Sequence, residues 1–250
     1  MRVIIFDLKG PMAHFRKIYT NSSSLSYSIP PRTTLAGIIA AVLGWERDSY
    51  YEKMHSEMVG LAVRKINPTR KIMQTLNYIK ATSPSHLANF SEGHSQIPFE
   101  IICGEPEVRY RVYFRTEDEE VYEKTKNALK SGRSVFPIYL GAAPFSGVWE
   151  WIGEGELEKD VSQEVKDIFT PIDVNLIAKI VWQEMQKDSM LVKDRMPVDF
   201  TQERYPLNTK SYLYDDKGGS IKLKLKEEAL CFKVSYKDKE QETCEHILFY

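Results

Sequence analysis

"SYSIPPRTTLAGIIAAVLG", Ser26 to Gly44, sets a rigid polar entry against a run of small and aliphatic residues. Leu35, Ile38, Ile39 and Val42 recur at i, i+3, i+4 and i+7, the spacing of one helix face. Ala36, Gly37, Ala40 and Ala41 fill the other side, so the predicted helix is apolar or small almost all round. That pattern predicts burial between two packed layers, with a small side that admits a close neighbour. Gly44 fits a left-handed stop. At the start, Thr33 or Thr34 can cap, and the first free N–H groups carry partial positive charge. Arg32 stands one residue outside, held extended behind Pro30 and Pro31. Two readings follow. The entry is a phosphate-type anion site, or Pro-Pro fixes the entry angle and Arg32 pairs with a carboxylate.

Working outward, Arg2–Leu8 reads as a short buried strand before Gly10-Pro11, and Met58–Ile66 as a second, with Val59, Leu61 and Val63 alternating. Lys71–Lys80 is a third extended piece, and Thr82–Gln96 a polar excursion. Val108–Arg115 is the clearest strand. A helix follows, with Thr116 and Glu119 in capping-box spacing, acids at its start, Lys126 and Lys130 near its end and Gly132 to close it. Val135–Leu140 and Gly147–Ile152 are strand-like. The order strand, helix, strand, strand, helix, strand is that of an α+β, ferredoxin-like domain. It predicts residues 1–155 as one unit with an insertion at about 71–105, and 156–250 as a smaller β-rich subdomain. There Asp173–Lys187 fits helix or strand, and Ile221–Lys226, Leu230–Tyr236 and Thr243–Phe249 read as an antiparallel meander.

The chain of 250 residues carries a formal net charge of -1, but unevenly. Residues 1–115 hold 15 Lys/Arg against 9 Asp/Glu, and residues 116–250 hold 19 against 26. The basic half points to an anionic partner such as nucleic acid, or to clustering on a solvated surface. No stretch is long and apolar enough to span a bilayer, and no signal-peptide pattern is present. Cys103, Cys231 and Cys244 are scattered and odd in number, which predicts a reducing, cytoplasmic setting and neither a disulfide framework nor a zinc site. No HExxH, Walker loop or carboxylate cluster points to a metal, a cofactor or another enzyme class.

"GPMAHFRK" (Gly10–Lys17), a serine-rich loop, "PPRTTLAGIIAAVLG" (Pro30–Gly44) and "YLGAAPFSG" (Tyr139–Gly147) together resemble the Cas-five family of CRISPR-associated RAMP proteins. "RMPVDF" (Arg195–Phe200) resembles the version found in type I-B Cascade complexes. The resemblance implies an RNA-recognition-like domain with a thumb inserted between its central strands. It implies a subunit that holds the 5′ handle of the CRISPR RNA and contacts the Cascade backbone and large subunits.

On that expectation the RNA contacts are Arg16, Lys17, and Arg32 with Thr33 and Thr34 at the helix start. The glycine loop adds Gly141, Phe145 and Gly147, whose backbone can approach an oxyanion or simply form a hairpin. Arg64, Lys65, Arg70 and Lys71 cluster at the base of the insertion, as a phosphate contact or a solvated face. Arg109 and Arg111 share a strand face with Tyr113 and Arg115, suited to RNA or to being covered by another part of the chain. Some relatives in type I-C systems cut RNA without metal, using a Tyr, Lys and His group. Here His14 with Tyr19 or Tyr27 is the nearest match, and no Lys-His pair of that kind exists. A non-catalytic subunit is therefore the expectation, a metal-independent endoribonuclease the alternative.

Overall fold

The computed structural model describes residues 1–79, 83–88 and 94–250. In chain order it forms β1 (Arg2–Ala13), β2 (Phe15–Arg16), β3 (Ser26–Tyr27), α1 (Arg32–Leu43), β4 (Val59–Lys65), β5 (Thr69–Ile79), α2 (Pro84–Ala88), β6 (His94–Thr116) and α3 (Glu119–Ser131). Then come β7 (Val148–Lys159), β8 (Lys166–Ile168), β9 (Ile172–Asp173), β10 (Ile177–Ile180), β11 (Leu191–Phe200), β12 (Pro206–Asp215), β13 (Ile221–Leu225), β14 (Phe232–Asp238) and β15 (Gln241–Ile247). The molecule is mostly β-sheet with few helices; α1 and α3 stand where the sequence places helices, and residues past α3 supply strands and short 3-10 turns.

The large sheet runs β10-β13-β8-β15-β14-β7-β1-β6-β4, and β5 pairs with the other half of β6. At its centre β7, β1, β6 and β4 each run antiparallel to their neighbours. The first half of β6 leaves this group to pair with β5, from Thr69↔Gly104 to Ile79↔His94. The stretch expected as an insertion thus forms a two-stranded arm; its residues 80–82 and 89–93 lie outside the described residues.

One sheet face is dry. Ile4, Phe6, Leu8, Tyr110, Val112, Phe114, Leu61 and Val63 meet Leu35, Ile38, Ile39 and Val42 of α1 and Tyr122 and Leu129 of α3. The helix α1 is buried as its composition predicts, between this sheet and β11 of a second sheet ordered β11-β12-β9. Gly44 ends it with φ 74°. The N-terminus differs from both sequence readings of the cap: Pro31 is the N-cap residue and no side chain caps the helix. For α3 the cap shifts from Thr116 to Asp118, whose carboxylate accepts from Val121 N–H at 3.0 Å.

The opposite face curls on itself. Val3, Ile5, Ala62 and Tyr113 pack with Leu157, Val234, Tyr236 and Ile247, although β14 lies three places from β6 in the strand order. Tyr250 N–H donates to Leu61 O at 3.0 Å beside β4, bringing the chain after β15 back to the far edge. Because β7 pairs with β14 through residues 156–159, the sheet continues across position 155 without a break. Val135–Leu140 is not a strand but a loop, with a single bridge from Tyr139 to Ser146. The predicted terminal meander is also interrupted: β8 lies between β13 and β15, and only β14 and β15 form the expected hairpin. No helix among the described residues is long and apolar enough to cross a membrane.

Candidate nucleic-acid interface

Most of the basic side chains singled out in the sequence have partners inside the chain. Arg32 is 1 % exposed. Its Nη1 donates to Asp199 Oδ1 at 2.7 Å and Val198 O at 3.3 Å, and its Nη2 to Met54 O and Val59 O, each at 2.7 Å. Asp199 also accepts from Ser56 N–H at 3.0 Å and Ser56 O–H at 2.6 Å. Arg32 forms the carboxylate pair of the alternative reading, because β11 packs against α1 and brings Asp199 to the guanidinium, whose other N–H groups go to backbone carbonyls. Burial lowers the pKa of Arg32 and Asp199 opposes the shift.

The Arg/Tyr face of β6 is likewise enclosed. Asp7 on β1 accepts from Arg109 Nε at 2.7 Å and from Arg111 Nε at 2.8 Å. Arg111 Nη1 also donates to Tyr236 O–H at 2.8 Å and lies 2.7 Å from Asp238 Oδ2. Tyr113 and Tyr236 both donate to Glu245. The curl of the sheet covers much of what reads as an outer face, and Arg109 and Arg111 join an internal network, as the covered-strand alternative expects. The insertion-base cluster is mostly paired too. Arg64 bonds Glu245 at 2.5 Å, Lys65 bonds Asp216 at 2.6 Å, and Lys71 meets Glu100 at 3.2 Å and Ser26 O at 2.8 Å. Lys17 bonds Asp194 at 2.5 Å; burial works against its charge, and this bond raises its pKa nonetheless. Of the nine basic candidates, seven have carboxylate partners, and Arg16 and Arg70 have none among the described residues.

The glycine loop has a structural job. Gly141 has φ +93°, and a Cβ there would stand 1.9 Å from His14 O. It can therefore lie against β1, where His14 N–H donates to Leu140 O at 3.0 Å. Gly147 N–H donates to Ile138 O at 3.1 Å, closing the loop on itself. Phe145 stacks at 6.2 Å on Phe99, which in turn lies 3.9 Å over the His14 ring. His14 Nδ1 meets Glu100 O at 2.7 Å and Nε2 meets Ser24 Oγ at 3.0 Å, and burial pushes its pKa down. Tyr27 O–H donates to Arg195 O at 2.6 Å and Tyr19 O–H to Asp194 at 3.1 Å. The three candidate catalytic groups thus point to separate partners rather than to one reacting point.

Between these parts opens a groove of about 540 Å³. Thr33, Thr34, Gly37, Ile38 and Ala41 bring one side of α1 to it. His14, Phe15, Arg16, Ile18 and Tyr27 come from the segment after β1, and Tyr78 and Phe99 from the β5–β6 arm. Tyr139, Gly141 and Ala142 come from the glycine loop, Tyr50 and Tyr51 from the turn after α1, and Phe200 and Arg204 from the β11–β12 turn. Among the described residues no aspartate or glutamate lines it. Among the described residues, Arg16 has only a long contact to Thr20 O at 3.5 Å, and Arg204 only a loose one to Asp48 at 3.5 Å. A groove with aromatic faces, arginines and no acids suits single-stranded nucleic acid, whose bases stack on rings and guanidinium planes. It gathers Arg16, Thr33, Thr34 and Gly141 from the RNA-contact candidates, and His14 and Tyr27 from the catalytic alternative. Tyr50, Tyr78 and Arg204 carry no local motif, Phe200 only closes "RMPVDF", and the folded chain alone reveals their shared surface. Among the described residues, no group of three His, Cys, Asp or Glu is placed to hold a metal ion.

The sequence profile of the family described as CRISPR-associated protein (Cas_Cas5) matches residues 3–209. The chain belongs to this Cas5 family. No curated protein matches it at a significant level. Among solved structures it is similar to a CRISPR protein from Archaeoglobus fulgidus, with TM-score 0.55, 11% identity and coverage of 98% of this chain and 99% of that one. A chain in the type III-B Cmr-beta structure bound to cognate target RNA and AMPPnP is also similar, with TM-score 0.50, 10% identity and coverage of 89% and 86%. At these identities the likeness is one of fold. The Cas5 profile takes in β1, α1, the arm, the glycine loop and the β11–β12 turn, every part that lines the groove.

Proposed function

We propose that this Cas5-family chain is a non-catalytic, RNA-binding subunit of a type I CRISPR complex, taking the 5′ handle of the CRISPR RNA and contacting the backbone and large subunits. The observation that carries the reading is the acid-free groove, with its tyrosines and two arginines, beside α1. The strand order β7-β1-β6-β4, with α1 and α3 on one face, supports a ferredoxin-like domain. The β5–β6 arm is then its thumb, and residues 156–250 a second part that widens the sheet. That a chain of similar fold occurs in a Cmr structure with target RNA agrees with membership of such a complex.

The non-catalytic part of the reading is supported by His14, whose two ring nitrogens are both occupied within the chain. In the test, purified protein meets handle RNA and a scrambled RNA of equal length, in EDTA. Preferential binding of handle RNA without cleavage, weakened by Arg16→Ala with Arg204→Ala, is the expected result. Equal binding of both RNAs would sink the handle assignment. Specific cleavage that disappears in His14→Ala would instead establish the endoribonuclease.

A further inference from the structure

The groove differs from an electrostatic RNA channel in one respect that can be counted. Its lining brings two guanidinium groups, Arg16 and Arg204, and no lysine among the described residues. Two further basic residues of the first half, Lys17 and Arg32, are committed to Asp194 and Asp199. Ring surface is better supplied. Tyr78 is 48% exposed and Tyr139 is 38% exposed, and Tyr50 and Phe200 are half-buried in the same groove. These rings come from four separate elements, and none of the described contacts covers the outer faces of Tyr78 or Tyr139.

Resting on the reading of this groove as an RNA interface, we propose that it holds RNA chiefly by stacking unpaired bases on Tyr78 and Tyr139, with phosphate attraction a minor contribution. The ligand class is single-stranded RNA with exposed bases. In a duplex the base faces are hidden by their neighbours, so the rings have nothing to stack on. A polymer that offers only phosphates meets two arginines and little else. Arg16 and Arg204 then serve to set the strand's path, and each can also lie flat on a base.

The test uses the whole chain and a labelled pool of random-sequence single-stranded RNA, about twelve nucleotides long, of the order of known single-strand site sizes. An abasic ribose-phosphate oligomer of the same length and a matched duplex are the comparison probes. With two phosphates neutralised on a single strand, log K against log salt has an expected slope of about -1.4. The abasic oligomer and the duplex are expected to bind weakly. Tyr78→Ala and Tyr139→Ala are each expected to weaken the pool by roughly fivefold to a hundredfold, the usual range for losing one stacked base. Tyr78→Phe, which keeps the ring, is expected to restore binding. A slope steeper than about -3, as four or more phosphate contacts produce, overturns the stacking proposal. So does abasic oligomer bound as tightly as RNA; in both cases RNA binding itself survives. Failure of every probe to bind at low salt overturns the RNA reading along with it.

Discussion

Two regions of this protein offer the same residue types, tyrosine and arginine, and the fold treats them in opposite ways. The strand "VRYRVYFR" (Val108–Arg115) alternates arginine and tyrosine on one side, the pattern of an RNA-facing sheet. The groove beside α1 draws its tyrosines and arginines from scattered positions with no shared pattern. In the folded chain, Arg109 and Arg111 converge on a fully buried Asp7, whereas Arg16 has no ion pair among the described residues. A cation therefore has to be counted after its internal partners, because a buried carboxylate at hydrogen-bond distance holds a guanidinium more firmly than a solvent-exposed phosphate can.

The contrast is sharpest where a paired charge is removed. Arg32→Ala leaves Asp199 buried without its counter-ion and is expected to destabilise the fold by about 3–5 kcal/mol, read by chemical denaturation. An effect under about 1 kcal/mol, the range of exposed pairs, would place Arg32 on the surface and restore it as an anion ligand. Asp7→Ala breaks two arginine pairs at once, and a comparable loss is expected, again about 3–5 kcal/mol. Gly141→Ala forces a side chain into the left-handed region against His14 O. A loss of at least about 1–3 kcal/mol is expected from the backbone alone, and wild-type stability would show that the loop can move off β1.

The smallest effect expected is one of pH. Burial lowers the pKa of His14, so the folded chain favours the neutral ring. As pH falls below the ordinary histidine value of about 6.5, the unfolded chain takes up a proton that the folded chain resists, and stability declines. In His14→Gln that part of the acid dependence should flatten between pH 7.5 and 5. If the slope is unchanged, the ring is not held neutral against Phe99.

Much of the central sheet and both long helices were legible in the sequence, because each carries a local period. β1, α1, β4, the second half of β6 and α3 read correctly from apolar spacing and from stop signals such as Gly44 and Gly132. Val135–Leu140 read wrongly as a strand: it alternates like one, but it lies beside α1 with Val135 and Phe136 N–H donating to Val42 O and Ala41 O, outside any ladder. The C-terminal meander failed for another reason. Strand β8 enters between β13 and β15 from about fifty residues upstream of β13, and no neighbouring residue announces such a pairing. The same holds for the groove, which joins Arg16, Tyr50, Tyr78, Tyr139 and Arg204.

The residues of Ser26–Gly44 by themselves determine a buried helix, its stop and a rigid entry, since spacing, propensity and backbone restriction are local properties. Whether Arg32 meets a phosphate or a carboxylate is decided by Asp199, far along the chain, which reaches the helix start only when β11 packs across it. Tertiary structure makes that choice because the free energy of a charge depends on which groups surround it, and those neighbours come from distant parts of the chain.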